Sequence, residues 1–195
     1  NIGIALTGSY CTYAKTFDAI ELLKETGANL FTIFSNNASS TNSRFGKCNE
    51  FLQRAENLVG KKPITTIPEA EPIGPKSMLD ILVIAPCTGN TLAKIANGIT
   101  DTAVCMAAKA HLRSDRPLVI ALASNDALSA NLKNIGTLLA RKSVYFAPMR
   151  QDDPKGKPHS LVSDIEKITV HIGPRGGRYV DFIPQSYVLV KAIFI

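Results

Sequence analysis

Residues 83–101 read "VIAPCTGNTLAKIANGITD". The apolar run Asp80–Ala85 reads as a buried strand, and Thr91–Asn97 as the helix that follows it. Between them stand Pro86, Cys87, Thr88, Gly89 and Asn90, which break the apolar pattern. A strand apolar at almost every position needs cover on both faces, which is the habit of parallel sheets. The proline is expected to end the ladder, so that Thr88, Gly89 and Asn90 turn toward the N-terminus of the helix.

The pattern repeats to either side. Ile2–Leu6, Leu30–Phe34, Pro117–Ala123 and Val144–Ala147 read as strands, with a shorter one over Ile64–Ile67. Helices are expected over about Tyr13–Thr26, Lys47–Val59 and Ala103–Leu112, with another beginning near Ala127. "SNNASSTNSRFG" (35–46) reads as a polar loop. "PEAEPIGPKS" (68–77) holds too many prolines for a helix and reads as a surface connection. Strands alternating with helices predict an α/β fold: a Rossmann-like three-layer sandwich with a doubly wound, mainly parallel sheet. Past residue 150 the pattern weakens. "QDDPKGKPHS" (151–160) is a loop, Leu161–Lys167 a helical turn or two, "GPRGGRYVD" (173–181) a basic, glycine-rich stretch, and Tyr187–Ile195 an apolar strand-like tail expected to pair with the sheet or with another protomer. The expected division is a main domain over 1–167 and a C-terminal segment over 168–195.

A chain of 195 residues with 45% hydrophobic content can bury one full core. It has no apolar run of ~18 residues to span a bilayer, and its first residues lack the basic region and cleavage site of a secretory signal. The four cysteines are scattered without a CxxC pair, which fits reduced cytoplasmic thiols and no metal site. The net charge of +6 is dispersed, so small anions are expected partners rather than nucleic acid.

In open α/β sheets ligands sit beyond the carboxyl ends of the strands. Four such ends are small and polar: Thr7-Gly8-Ser9, Ser35 to Ser43, Pro86 to Asn90, and Ser124-Asn125-Asp126. Singly, Ser9, Asn90 and Asn125 could be helix caps or turn residues. Together they predict a phosphate-bearing ligand held at a helix N-terminus. No GxGxxG is present, and no acid ends the second strand, so a mononucleotide such as FMN fits better than a dinucleotide. Arg44 could clamp a carboxylate or stay solvated. Lys94 is expected to lie along apolar surface, Asp101 to cap the next helix, and Lys109, His111 and Arg113 to offset the dipole at a helix end. Cys11 and Cys87 border the site but have no base nearby, so no catalytic residue is assigned.

"APCTGNTLAKIANGITD" (85–101) resembles the signature of the flavoprotein superfamily of flavin-containing cysteine decarboxylases, matched by Pro86, Thr88, Asn90, Thr91, Lys94, Ala96, Gly98 and Asp101. The segments "LTGSYCTY" (6–13), "STNSRFG" (40–46), "AEPIGPK" (70–76), "MAAKAHLR" (106–113), "SNDAL" (124–128) and "VYFAPMRQDDPKGKPHS" (144–160) are similar, within that superfamily, to the dipicolinate synthase B subunits. This resemblance covers residues 1 to about 167. It implies a Rossmann-like sheet in a homo-oligomer with FMN between protomers, and Gly8, Ser9, Ser35, Thr88, Gly89 and Asn90 in contact with the cofactor. It also implies a partner, the NADP-dependent A subunit, with which dihydrodipicolinate is converted to dipicolinate in the mother-cell cytoplasm of a sporulating bacterium. Arg44 and Asn125 would then meet the dicarboxylate substrate. Two departures stand out: 63–80 lacks the decarboxylases' histidine, and Ala123–Asp126 stands where they carry P-x-M-N. A non-catalytic accessory subunit, an FMN-dependent decarboxylase and a flavin prenyltransferase are the competing readings.

Overall fold

In the computed structural model every residue of the strand Ile81–Cys87 (β3) is buried. The structure describes residues 1–168, 171–172 and 180–181. β3 lies between β1 (Ile2–Leu6) and β4 (Leu118–Ser124), parallel to both, and β2 (Leu30–Phe34) flanks β1. Val144–Phe146 (β5) pairs with the first half of β4 in parallel. Met149–Arg150 (β6) and Leu161–Ser163 (β7) form an antiparallel pair, and β7 takes the last two residues of β4. The parallel strands run in the order β2-β1-β3-β4-β5, so the crossover direction reverses between β1 and β3. That switch point is where a doubly wound sheet opens a crevice.

Alternation sorts the side chains into two cores. Ile2, Ile4 and Leu6 of β1, with Ile81, Val83 and Ala85 of β3, meet Phe17, Ile20 and Leu23 of α1 (Tyr13–Glu25). Ala55 of α3 (Cys48–Val59) closes the same layer. Leu82, Ile84 and Cys87 face the other way, onto α5 (Gly89–Ala96), α6 (Ala103–Leu112) and α7 (Leu132–Leu139). The result is the expected three-layer α/β sandwich, and no helix among the described residues is long and apolar enough to cross a membrane.

Pro86 does not end the strand. Ile84 pairs with Ile120 and Cys87 with Leu122, so three steps on β3 match two on β4. The extra residue is a bulge, and it returns Cys87 to the face of Ile84. A bulge is where a central strand tolerates a residue that has no N–H to give the ladder. The Ala85–Pro86 peptide is cis.

Other expectations shift too. Ile64 makes an isolated bridge to Ile33, and no strand runs on to Ile67. Asn36–Ser40 is a short helix (α2) inside the expected polar loop. Ile67–Ala70 (α4) and a 3-10 turn at Glu71–Ile73 occupy the proline-rich stretch, because Pro68 and Pro72 stand in first turns, where a missing N–H costs little. Thr66 accepts from the Glu69 amide at 3.4 Å and Glu69 Oε2 accepts from the Thr66 amide at 3.1 Å, closing a capping box. α7 starts five residues after Ala127, since Asp126 holds 126–131 in turns through bonds to its carbonyl from the Ser129 and Asn131 amides. Leu161–Ser163 is a strand, with a 3-10 turn at Ile165–Lys167. Beyond it, His171–Ile172 (β8) pairs with Val180–Asp181 (β9). The expected tail at Tyr187–Ile195 lies outside the described residues.

Gly74 joins the proline-rich turn to α6: a Cβ there would stand 2.7 Å from the Ala110 carbonyl oxygen. Gly74→Ala should therefore push the turn off α6 and cost about 1–3 kcal/mol of stability, read by urea unfolding.

Candidate functional site: the strand exits

The parallel strands deliver their C-terminal ends to one edge, and the contacts there begin with Thr7. Its hydroxyl donates to the Pro86 carbonyl at 2.7 Å and accepts from the Thr88 amide at 2.9 Å. These two bonds stand in for the ladder that the bulge interrupts. The Thr7 carbonyl in turn accepts from Tyr13 Oη at 3.0 Å and from the Ser9 amide at 2.8 Å. Thr7 is buried, as is the Tyr13 ring, whose hydroxyl is pushed far above its ordinary range by desolvation. One side chain thus fixes the β1 exit to the β3 exit.

Thr88 is the N-cap of α5, accepting from the Thr91 amide at 3.3 Å. The Leu92 amide bonds the Thr88 carbonyl at 2.9 Å, which leaves the Gly89 and Asn90 amides as the donors a helix start cannot satisfy internally. Ser35 is the cap of α2, accepting from the Ala38 amide at 3.4 Å, and its own amide bonds the Leu6 carbonyl at 3.0 Å. Around Gly8 there is room: a Cβ would meet nothing nearer than Asn37 Cβ at 3.8 Å. Ser9 and Cys11 face each other at 3.8 Å beside it.

Gly89 is glycine for a different reason. A Cβ at that position would lie 2.6 Å from Asn131 Nδ2 and 2.8 Å from Asp126 Oδ1. The β4 exit therefore packs directly on the first turn of α5. Asp126 takes a hydrogen bond from Ser124 Oγ and two from Asn131 Nδ2, at 3.0 and 2.9 Å. The Ser124 bond, helped by Asn131, holds its carboxyl below the usual range. Asn134 Nδ2 donates to Asn131 Oδ1 at 2.9 Å, and Asn97 Nδ2 to Asn134 Oδ1 at 3.4 Å, so a polar chain runs from the exit along α7 to the end of α5. Sequence patterning places Thr7 in a polar strand end without its bridging role, and does not single out Asn131 or Asn134. The i, i+3 spacing of the two asparagines is the signal it holds.

The loop 151–160 approaches the same edge. The Leu128 amide bonds the His159 carbonyl at 2.9 Å, and Ser160 Oγ reaches Asn125 Oδ1 at 3.5 Å. Arg44 stands apart, exposed, with its guanidinium 4.9 Å from the Phe45 ring centre. Lys94 is committed to an ion pair with Asp101 at 2.7 Å, and Thr102, not Asp101, caps α6 through the Cys105 amide at 3.2 Å. Neither Asp101 as cap nor His111 as dipole-facing cation holds. His111 is 1% exposed, bonds the Pro117 carbonyl at 2.9 Å, and is driven toward the neutral form by desolvation. Cys87 is buried and its thiol is pushed up, so it is no nucleophile. The edge offers amides, hydroxyls and a helix N-terminus, which suits binding an anion. Among the described residues it offers no paired general acid and base.

The Flavoprotein family matches this chain over residues 1–172. The B subunit of dipicolinate synthase from Bacillus subtilis (strain 168) is 46% identical over 165 residues, covering 85% of this chain and 82% of that one. The flavin prenyltransferase UbiX of Thermoplasma acidophilum is 38% identical over 78 residues, 40% of this chain and 43% of its own length. Among solved structures, the B subunit of dipicolinate synthase from Bacillus halodurans superposes with a TM-score of 0.77 at 41% identity, covering 85% of both chains. The FMN-dependent cysteine decarboxylase SpaF gives 0.65 at 20% identity over 86% of this chain and 91% of its own, a likeness of fold.

Thr7→Val keeps the shape and removes both bonds, stranding the Thr88 amide. It should cost about 1–3 kcal/mol in urea unfolding, and Thr7→Ser should recover most of the loss. Asp126 gives a pH test. Its folded pKa is depressed, so its stabilising contribution is complete above the unfolded value near 4 and fades as pH falls through the folded one. Asp126→Asn should accordingly be destabilising at about pH 6, with the difference from the parent shrinking as pH drops below about 4.

Proposed function

The chain belongs to the flavoprotein family, and from that membership we propose that it is the B subunit of a dipicolinate synthase, converting dihydrodipicolinate to dipicolinate with an NADP-dependent A subunit. The observation that carries this reading is the 46% identity to a dipicolinate synthase B subunit, sustained over 85% of the chain. Cytoplasmic work in the mother cell of a sporulating bacterium, and assembly into a homo-oligomer, belong to the same proposal.

FMN fits the residues at the strand exits. The free amides of Gly89 and Asn90 and the helix dipole behind them suit a phosphate. The Ser9, Ser35 and Thr88 hydroxyls supply further polar contacts, and the space beside Gly8 lets a ligand approach the backbone. Bound there, a flavin would supply hydride acceptance or relay. The protein's part is to fix its phosphate by the Thr88-capped helix start and to exclude water with the loop 151–160. Arg44, exposed and without an ion pair among the described residues, is the proposed anchor for a substrate carboxylate, and Asn125 a neutral partner for it.

Among the described residues the exits offer no paired acid and base, which favours a second reading, in which this chain orients substrate while the partner performs the redox step. The decarboxylase and prenyltransferase readings are weaker. No histidine lies in 63–80, and the β4 exit carries Ser124 and Asp126 locked to Asn131 where the decarboxylases carry P-x-M-N.

Titration with FMN should give a saturable visible-absorbance change, and thermal stabilisation equivalent to about 2.7 kcal/mol at a hundredfold excess over Kd. Asn90→Ala, which keeps the backbone N–H and removes the side-chain amide, should weaken binding by roughly tenfold where that side chain adds a second bond to the ligand. A protein that neither colours nor stabilises with FMN sinks the flavin assignment. Dipicolinate formation that needs both proteins supports the proposal, whereas full activity of the isolated partner makes this chain an accessory.

A further inference from the structure

The C-terminal ends of α5 and α7 and one face of α6, from Cys105 to Arg113, line an open cavity of about 260 Å³. Ile95, Ile99 and Leu112 supply apolar wall, and Lys109, Arg113 and Arg141 supply charge. None of the lining residues is acidic. Asp101, adjoining the lining, is held by Lys94 at 2.7 Å. Lys109, Arg113 and Arg141 make no side-chain hydrogen bond or ion pair among the described residues.

Cations near a helix C-terminus ordinarily offset its dipole. That accounts for Lys109 and Arg113 at the end of α6 taken by themselves. It serves for Arg141 at the end of α7 as well, taken singly, but it does not require the three cations to line one hollow or leave Ile99 47% exposed at its rim. Three cations around an apolar wall make a site with two requirements: more than one negative charge, and a hydrocarbon surface to cover the wall.

We propose that this cavity is a second ligand site, for a small organic dianion with a ring or short hydrocarbon body. Its volume falls just below the roughly 300 Å³ at which small-molecule pockets begin, which suits a single ring bearing two carboxylates better than a nucleotide. The site is separate from the strand exits. α5 is 8 residues long, so its two ends stand about 12 Å apart, one at each site. The assignment does not depend on the flavin or on a partner protein.

Isophthalate is a suitable probe, titrated calorimetrically into the full chain at low ionic strength, where screening of exposed charges is least. Saturable binding is expected, about tenfold tighter than benzoate, with no binding of the uncharged isophthalamide. The double variant Arg113→Ala/Arg141→Ala should lose about tenfold in affinity, from a few-fold per cation. Ile99→Asp, an exposed change that brings a like charge to the rim, should abolish binding, and circular dichroism checks that both variants fold. Asn90→Ala should leave isophthalate binding unchanged. No saturable binding, or equal binding of isophthalamide, overturns the proposal. So does loss of binding in Asn90→Ala with retention in the double arginine variant, which would put the probe at the strand exits. Inorganic phosphate binding as tightly as isophthalate would overturn the requirement for a hydrocarbon body.

Discussion

The hydroxyl of Thr7 carries a duty that a backbone usually discharges. β3 sits in the middle of the sheet, where an amide or carbonyl left without a partner is costly to bury. The bulge at Pro86 interrupts that pairing where the strand leaves the core. Thr7 restores it with one donated and one accepted bond. Because the accepted bond comes from the Thr88 amide, the same side chain also sets where α5 begins. The position of the helix N-terminus, and hence of the anion-friendly edge, follows from a contact between residues 81 positions apart.

From that anchored start the rest of the edge is built by close approach. Gly89 lets Ser124, Asp126 and Asn131 pack against the first turn of α5. The asparagine chain then ties the first turn of α7 to the C-cap of α5. Such a network stabilises only when its members are satisfied, and Asp126 is, with its carboxylate bonded through both oxygens. The chemistry that results is recognition rather than proton transfer. His111, which reads as a cation in the sequence, is sealed under α6 as a neutral hydrogen-bonding group.

Much of this is legible in the sequence. β3 announces itself through a continuous apolar run, and the alternation of strands and helices yields the layer order, because burial on two faces leaves a one-dimensional trace. The polar exits are visible for the same reason, as breaks in that trace. What cannot be read there are features made by contact between distant segments. Pro86 reads as a strand end because a missing N–H normally is one, and the bulge exists only in relation to β4. The prolines at 68 and 72 hide two helical turns, since their benefit depends on falling in a first turn. Leu161–Ser163 carries no strand signal beyond its pairing with the end of β4. Thr7 looks like punctuation. The basic cavity is invisible because three separate helices compose it.

The outer edge of β4 is shared: β5 takes its first half and β7 its last two residues. This division makes the chain modular in a way its main sheet conceals. Everything after Phe146 can be rerouted without unpairing any of the five parallel strands. Whatever replaces it still emerges at the carboxyl edge, next to β4. Divergence in this last part of the sequence is thereby channelled into what the edge recognises, while the frame that holds the edge stays as it is.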